Sequence, residues 1–137
     1  MGGEVIAGIL SACSWAKTPD KTFILQPTTS AEVLREFLCE NGFSIENETP
    51  VFENGKLYSV ITAKFTNTAC DYPEHYYYTG KIPLTKEGIL YLEKQQKRVF
   101  SCMKALENIE NKHTDYLKNK SVYDQITKIL TENFNGI

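Results

Sequence analysis

The feature that most constrains the fold is a pair of strand-like runs, residues 43–53 and 56–65, that meet at Asn54-Gly55. A type I′ turn needs positive φ at both central positions, and Asn-Gly is the dipeptide that tolerates this best. In the second run, apolar residues alternate with more polar ones, which is the period of a strand with one buried face. The sequence therefore predicts an antiparallel hairpin here.

A helix and a strand are predicted before this hairpin. Residues 3–14 carry apolar side chains at helical spacing, and residues 22–26 form an apolar run that Pro27 ends. Continuous apolar runs of this kind are typical of central parallel strands. We therefore expect residues 22–26 to lie inside a parallel sheet.

A second helix follows. Thr29 and Glu32 have the spacing of a capping box, residues 33–38 carry an apolar stripe, and Asn41-Gly42 is a typical helix end. The resulting order of helix, strand and helix indicates a doubly wound α/β sheet.

Residues 66–84 contain several turn signals and are expected to be irregular, whereas the remainder is expected to be helical. Leu92, Val99 and Leu106 lie seven residues apart, as in a coiled coil. A polar break at residues 119–121 precedes a second, shorter amphipathic helix. We therefore expect two domains: residues 1–84, and an antiparallel helical hairpin at residues 85–137.

Composition excludes several classes of protein. No run approaches the length of apolar sequence that a membrane span requires. Glu4 stands where a signal peptide would carry a basic residue, so a cytoplasmic location is expected. The four cysteines include no C-x-x-C pair, and neither histidine has a second ligand at useful spacing, so no metal site is predicted.

Charge is unevenly distributed along the chain. Residues 1–85 contain six basic and ten acidic side chains, whereas residues 86–120 contain eight basic and five acidic ones. A basic helical segment suits an anionic partner. The solvated face of a coiled coil explains the same pattern equally well.

Four blocks of sequence together resemble one family. They are Met1-Gly2-Gly3-Glu4 with Ile6 and Ile9-Leu10, then residues 23–27, then residues 34–38 with 41–43, and then residues 53–58. In this order and spacing they resemble the TrmK family, bacterial methyltransferases that use S-adenosylmethionine (SAM) to methylate N1 of adenine at position twenty-two of tRNA. The resemblance implies the C-terminal half of a Rossmann-like class I methyltransferase sheet, ending in an antiparallel hairpin and followed by a coiled-coil-like helical hairpin.

The resemblance also implies what this chain does not contain. In the family, the Gly-rich SAM-binding loop and the acidic ribose ligand precede the block that Met1 opens. The family's cofactor is SAM, but we expect none to bind to this chain alone. Two functions stay open: part of a tRNA adenine-N1 methyltransferase, or a non-catalytic module for dimerisation or for binding RNA or protein.

Candidate site residues follow from the same comparison. Ligands of open α/β sheets lie outside the carboxyl ends of the strands. Gly2, Gly3, Gln26 and Pro27 are therefore expected to bind cofactor or lie near substrate, although tight turns would also explain them. Acidic residues expected near this edge are Glu4 and Asp20, and no catalytic residue is assigned.

Candidate RNA contacts lie mainly on the first long helix. Lys94, Lys97, Arg98 and Lys104 are expected to contact tRNA phosphates. Arg35 is expected to do the same, or to pair with a neighbouring carboxylate of its own helix. His75 and residues 76–78 would either stack on a base or cover the sheet edge. An exposed sheet edge or the helical hairpin is expected to make the chain a homo-oligomer.

Overall fold

The computed structural model describes residues 1–135, and the chain divides into two units, the second beginning at Leu84. In the first unit the elements are α1 (Gly3–Ala12), a 3-10 turn (Ser14–Ala16), β1 (Thr22–Leu25), α2 (Ala31–Glu40), β2 (Phe43–Glu53), β3 (Lys56–Phe65) and α3 (Glu74–Thr79). In the second unit they are α4 (Lys86–Leu106) and α5 (His113–Asn135).

The predicted hairpin is confirmed. β2 and β3 pair antiparallel, with Glu53 opposite Lys56 and a register shift between Ile45 and Asn47. Asn54 and Gly55 both have positive φ, 53° and 75° respectively. The Asn-Gly pair therefore closes the turn that its conformational freedom favours.

β1 is not flanked by parallel neighbours, which corrects the expectation of a central parallel strand. The sheet has three strands in the order β1-β3-β2, and β3 runs antiparallel to both of its neighbours. β1 and β2 consequently point in the same direction with β3 inserted between them. Among residues 1–135, the outer edge of β1 has no strand partner, and Ile24 is 74% exposed.

One face of the sheet packs against α1 and α2. Ile6, Leu10, Leu34 and Leu38 from the helices meet a core that the strands complete with Phe43, Ile45, Ile61 and Ala63. Phe43 is fully buried, and its ring packs edge-on against those of Phe23 and Phe65, at 6.0 and 5.3 Å between centroids. Burial of a side chain of this size stabilises the fold by about 1.5–3 kcal/mol.

The expected capping box of the second helix is wrong. α2 begins at Ala31, and its N-cap Ser30 has φ 54° with no side-chain capping bond. Thr29, the preceding residue, instead contacts α1: its carbonyl oxygen accepts a 2.7 Å hydrogen bond from the Gly3 backbone N–H. Packing against α1 therefore determines how this loop enters the helix.

The segment after β3 is not wholly irregular. The short helix α3 spans Glu74–Thr79 and ends at Gly80, which has φ 61°. The sequence does not indicate this helix for two reasons. Turn signals flank it on both sides, and six residues are too few to show a helical period.

The second unit is an antiparallel helix pair. The Gln96 side chain donates a hydrogen bond to Thr127 Oγ1 at 2.9 Å, and the Phe100 and Tyr123 rings lie 5.4 Å apart. Later residues of α4 therefore contact earlier residues of α5, so the two helices run antiparallel. Val99, Val122 and Ile126 are buried. Within the described residues, no helix is long and apolar enough to cross a membrane.

The break between these helices lies at residues 107–112 and not at 119–121. Asn111 has φ 72°, which suits a connecting loop. Asn119 is accommodated inside α5 because its side-chain amide donates to the Asp115 carbonyl at 2.9 Å. His113 is the exposed first residue of α5.

Candidate functional site

An open cleft of about 460 Å³ lies at the carboxyl end of β1. Because β1 and β2 point the same way, the residues that follow β1 and the tip of the β2–β3 hairpin lie at one edge of the sheet. This is the edge where open α/β sheets place their ligands. The lining residues are Met1, Gln26, Thr28, Glu53, Asn54, Lys56 and Tyr58.

The cleft combines an amide, an aromatic ring and charges of both signs. Gln26 is exposed, Tyr58 is half-buried, and Glu53 and Lys56 face each other across the hairpin. Glutamine amides bind the N6 and N7 edge of adenine, aromatic rings stack on bases, and lysines bind phosphates. The chemistry of the cleft therefore suits a nucleotide.

Gln26, predicted to bind cofactor or to lie near substrate, lines this cleft, whereas the sequence does not indicate that the hairpin residues belong to it. At Glu53, Lys56 and Tyr58 the sequence indicates only a turn and its strands. Their place in the cleft depends on β3 inserting between β1 and β2, which no local sequence signal specifies.

Gly2 and Gly3 have a packing role, and their proximity to cofactor or substrate stays a prediction. A Cβ on Gly3 would overlap the Ser30 carbonyl oxygen, and one on Gly2 would lie 2.7 Å from Thr29 Oγ1. The Thr28 N–H also donates to the Met1 carbonyl at 3.0 Å. The missing side chains thus allow the start of α1 to lie against the β1–α2 loop.

The other residues predicted for this edge lie elsewhere. Pro27 is buried and does not line the cleft, and Glu4 is exposed in the first turn of α1. Asp20 precedes β1 and so lies at the opposite end of that strand. There a hydrogen bond with Thr18 and the nearby Lys21 ammonium lower the pKa of the Asp20 carboxyl.

Arg35 is fully buried, so it is not available to RNA phosphates, and that prediction is wrong. Its Nη2 lies 2.8 Å from Glu48 Oε1, and its Nη1 donates to the Tyr77 carbonyl at 2.8 Å. Glu48 also accepts hydrogen bonds from Ser59 Oγ at 2.7 Å and from the Lys81 backbone N–H at 2.8 Å. The pair thus ties α2, the sheet and the end of α3 together.

The four basic residues predicted on the first long helix are all exposed on α4. Lys104 Nζ lies 3.2 Å from Glu107 and 5.7 Å from the centre of the Phe100 ring. Arg98 Nε donates to Gln95 Oε1 at 3.1 Å. Lys97 lines two neighbouring hollows of the helix pair, of about 520 and 300 Å³.

The tyrosine-rich segment does not form an open stacking platform. Tyr77 is buried, and Tyr76 stacks on Tyr72 with 4.0 Å between ring centroids. Burial raises the pKa of the Tyr76 hydroxyl, which has no hydrogen-bond partner in the described part of the chain. His75 is half-buried beside them in α3.

The thiols show no metal-binding arrangement. Cys39 is buried, Cys13 and Cys70 are half-buried, and Cys102 is exposed. Burial raises the pKa of the Cys39 thiol to about 12, and the neighbouring Cys70 contributes. Among residues 1–135, no group of three or more His, Cys, Asp and Glu side chains could hold a metal ion.

The family model "TrmK: tRNA (adenine(22)-N(1))-methyltransferase" matches residues 1–132. The chain belongs to the TrmK family. A curated relative, the tRNA (adenine(22)-N(1))-methyltransferase of Bacillus subtilis strain 168, is 38% identical over 64 residues, which are 47% of this chain and 27% of the relative. This confirms the family that the four sequence blocks indicated.

Solved structures show the same fold. An NADB-Rossmann superfamily protein from Streptococcus agalactiae matches with a TM-score of 0.73 and 22% identity, covering 95% of this chain and 56% of that one. The Streptococcus pneumoniae protein Sp1610, a putative tRNA (m1A22) methyltransferase also solved with S-adenosyl-L-methionine, matches with a TM-score of 0.72, 23% identity, and coverage of 95% and 58%. This TrmK-family chain therefore has a Rossmann-related fold and spans just over half the length of these structures.

Proposed function

We propose that this chain forms the tRNA-binding side of a SAM-dependent tRNA adenine-N1 methyltransferase. In this proposal, residues 1–84 supply the end of a Rossmann-like methyltransferase sheet, and residues 85–137 supply a helical hairpin that contacts tRNA. The enzyme acts in the cytoplasm. The observation that carries the proposal is the match of the TrmK family model to residues 1–132. The cleft at the carboxyl end of β1 supports it, because its groups suit a nucleotide.

The acceptor base is assigned to this cleft. The Gln26 amide is suited to the N6 and N7 edge of adenine, which leaves N1 on the neighbouring edge free to react. Tyr58 would supply a stacking surface, and Lys56 would bind an adjacent phosphate. Positioning is the main requirement, because the ring nitrogen already carries the lone pair that reacts.

We expect that the described residues do not hold the cofactor by themselves. The space beside Gly2 and Gly3 is occupied by the loop at Thr29 and Ser30, and the sequence contains no G-x-G run. Backbone amides of such a run, with an acidic ribose ligand, are what holds a nucleoside cofactor in Rossmann folds. We expect no SAM binding by the isolated chain in calorimetry, and micromolar binding would contradict this reading.

A chimera tests the proposal. The segment of the B. subtilis relative that precedes its matching region is joined to Met1, and two properties are measured: SAM binding, and formation of 1-methyladenosine in tRNA transcripts by mass spectrometry. We expect the chimera to bind SAM and to methylate adenine. A chimera that binds SAM and tRNA but forms no 1-methyladenosine would refute the proposal.

Gln26 provides a test variant for this experiment, and Thr22 provides its matched control. Gln26→Ala in the chimera should reduce methylation about tenfold or more while SAM affinity is unchanged, since a hydrogen-bonded base edge contributes about 1–3 kcal/mol. Thr22→Ala, at the opposite end of β1, should leave both properties unchanged.

A second candidate function is a non-catalytic interaction module. It is favoured by the edge of β1, which has no strand partner among residues 1–135, and by the exposed side chains of Val5 (54%), Ile9 (45%), Trp15 (55%) and Ile24 (74%). Such a surface suits self-association or a protein partner. This function would be preferred if the chain binds no tRNA and the chimera forms no 1-methyladenosine.

A further inference from the structure

A cleft of about 300 Å³ lies between the two long helices, lined by Gln96, Lys97, Phe100, Ser101 and Tyr123. Its aromatic side chains are close together, with ring centroids 5.4 Å apart and planes tilted by 45°. Phe100 is 40% exposed and Tyr123 is half-buried. An exposed aromatic pair of this kind presents ring surface that the helix pair itself does not cover.

The surroundings of the cleft on α4 are strongly basic. Residues 94–106 contain Lys94, Lys97, Arg98 and Lys104 and no carboxylate, because both acidic residues of α4, Glu87 and Glu93, precede them. On α5, Asp124 follows Tyr123, and Lys120 neutralises it at 3.0 Å. The potential around the cleft therefore favours an anionic occupant.

We propose that this cleft binds an unpaired nucleobase of RNA, which stacks on the Phe100 ring while Lys97 and Lys104 bind the flanking phosphates. Stacking on an aromatic ring and a basic path for the backbone are the two elements with which proteins bind single strands. The proposal rests on the proposed function, in which tRNA is the partner. It adds a second contact with a base, distinct from the acceptor cleft of the first unit.

Lys104 does not obstruct this occupant. Its ammonium lies over the Phe100 ring at 5.7 Å and pairs with Glu107 at 3.2 Å, and half of its side chain is exposed. Cation–π contacts and ion pairs in such exposed positions are weak. A phosphate can therefore draw Lys104 from the ring as the base takes its place.

The test uses the full 137-residue chain and two fluorescent probes of equal length and charge: a single-stranded oligoadenylate and the same backbone with abasic sites. The variant Phe100→Leu removes the ring and retains an apolar side chain. We expect it to weaken oligoadenylate binding about fivefold or more, as loss of one stacked base predicts, and to leave the abasic probe unaffected. Phe52→Leu, at a 57% exposed phenylalanine of the first unit, should change neither affinity.

The outcomes separate this proposal from the function on which it rests. Oligoadenylate binding that Phe100→Leu leaves unchanged would overturn the stacking cleft while leaving tRNA as the partner. Equal weakening of both probes would also overturn it, because the ring would then act through folding or charge. Absence of any salt-dependent RNA binding by the wild-type chain would contradict both proposals. A dimer that Phe100→Leu dissociates, with RNA affinity unchanged, would assign the cleft to a second copy of the chain.

Discussion

Replacing Glu48 with alanine isolates the energetic role of the buried ion pair in the first unit. Arg35 and Glu48 side chains are both fully buried, 2.8 Å apart. The variant would remove a buried carboxylate from beside the buried guanidinium, and removal of one partner from such a pair costs about 3–5 kcal/mol. Since whole domains are stable by only about 5–15 kcal/mol, this is a large fraction of the total.

Three further hydrogen-bonding groups lead us to expect a loss of stability in the upper half of the range of about 3–5 kcal/mol. Ser59 Oγ and the Lys81 N–H each lose a charged acceptor, and Arg35 Nε lies 3.2 Å from both Glu48 oxygens. Hydrogen bonds to charged groups contribute about 1.5–3 kcal/mol each to stability. By contrast, the double variant Arg35→Met with Glu48→Leu should lose less stability than Glu48→Ala, because it leaves no charge buried without its partner, although Ser59 Oγ and the Lys81 N–H still lose their acceptor.

Urea unfolding followed by tryptophan fluorescence measures this. Trp15 is the only tryptophan, and its ring lies 6.3 Å from that of Phe23, so it reports on the unit that contains the pair. Asp20→Ala, which removes the exposed pair with Lys21, is the control and should leave the midpoint unchanged. A loss below about 1 kcal/mol for Glu48→Ala would show that water solvates the pair, and the reasoning would fail.

Four further predictions concern packing, thiol reactivity, titration and assembly. Gly3→Ala should destabilise the first unit by about 1–3 kcal/mol because its Cβ would overlap the Ser30 carbonyl; Gly8→Ala, whose Cβ meets nothing within 4 Å, should instead be neutral or stabilising in thermal unfolding. Iodoacetamide near neutral pH should modify exposed Cys102 well before Cys39, as judged by mass spectrometry. The stability that neutral Cys39 contributes is complete below about pH 9 and is lost as pH rises toward about 12, so Cys39→Ala should flatten that alkaline decline. Light scattering should show an oligomer formed through the exposed β1 edge, and a monomer across the concentration range would contradict this.

The sequence by itself determined the local elements and the family. Asn54-Gly55 closes its hairpin because positive φ is a property of those two residues, whatever surrounds them. The apolar stripes of α1, α2 and α4 likewise specify helices, because a period of 3.6 residues can be read directly from the chain. The ordered blocks up to Tyr58 indicated the family for a similar reason, since each block is a short continuous segment.

Only the tertiary structure decided which segments meet. An apolar run at residues 22–26 does not reveal that β3 lies beside it, or that the hairpin tip consequently joins Gln26 in one cleft. Arg35 looks like a surface cation of an amphipathic helix until Glu48, thirteen residues later, is placed against it. Burial and pairing depend on contacts between distant segments, and no local pattern records those contacts. The role of each charged or polar group therefore had to come from the fold.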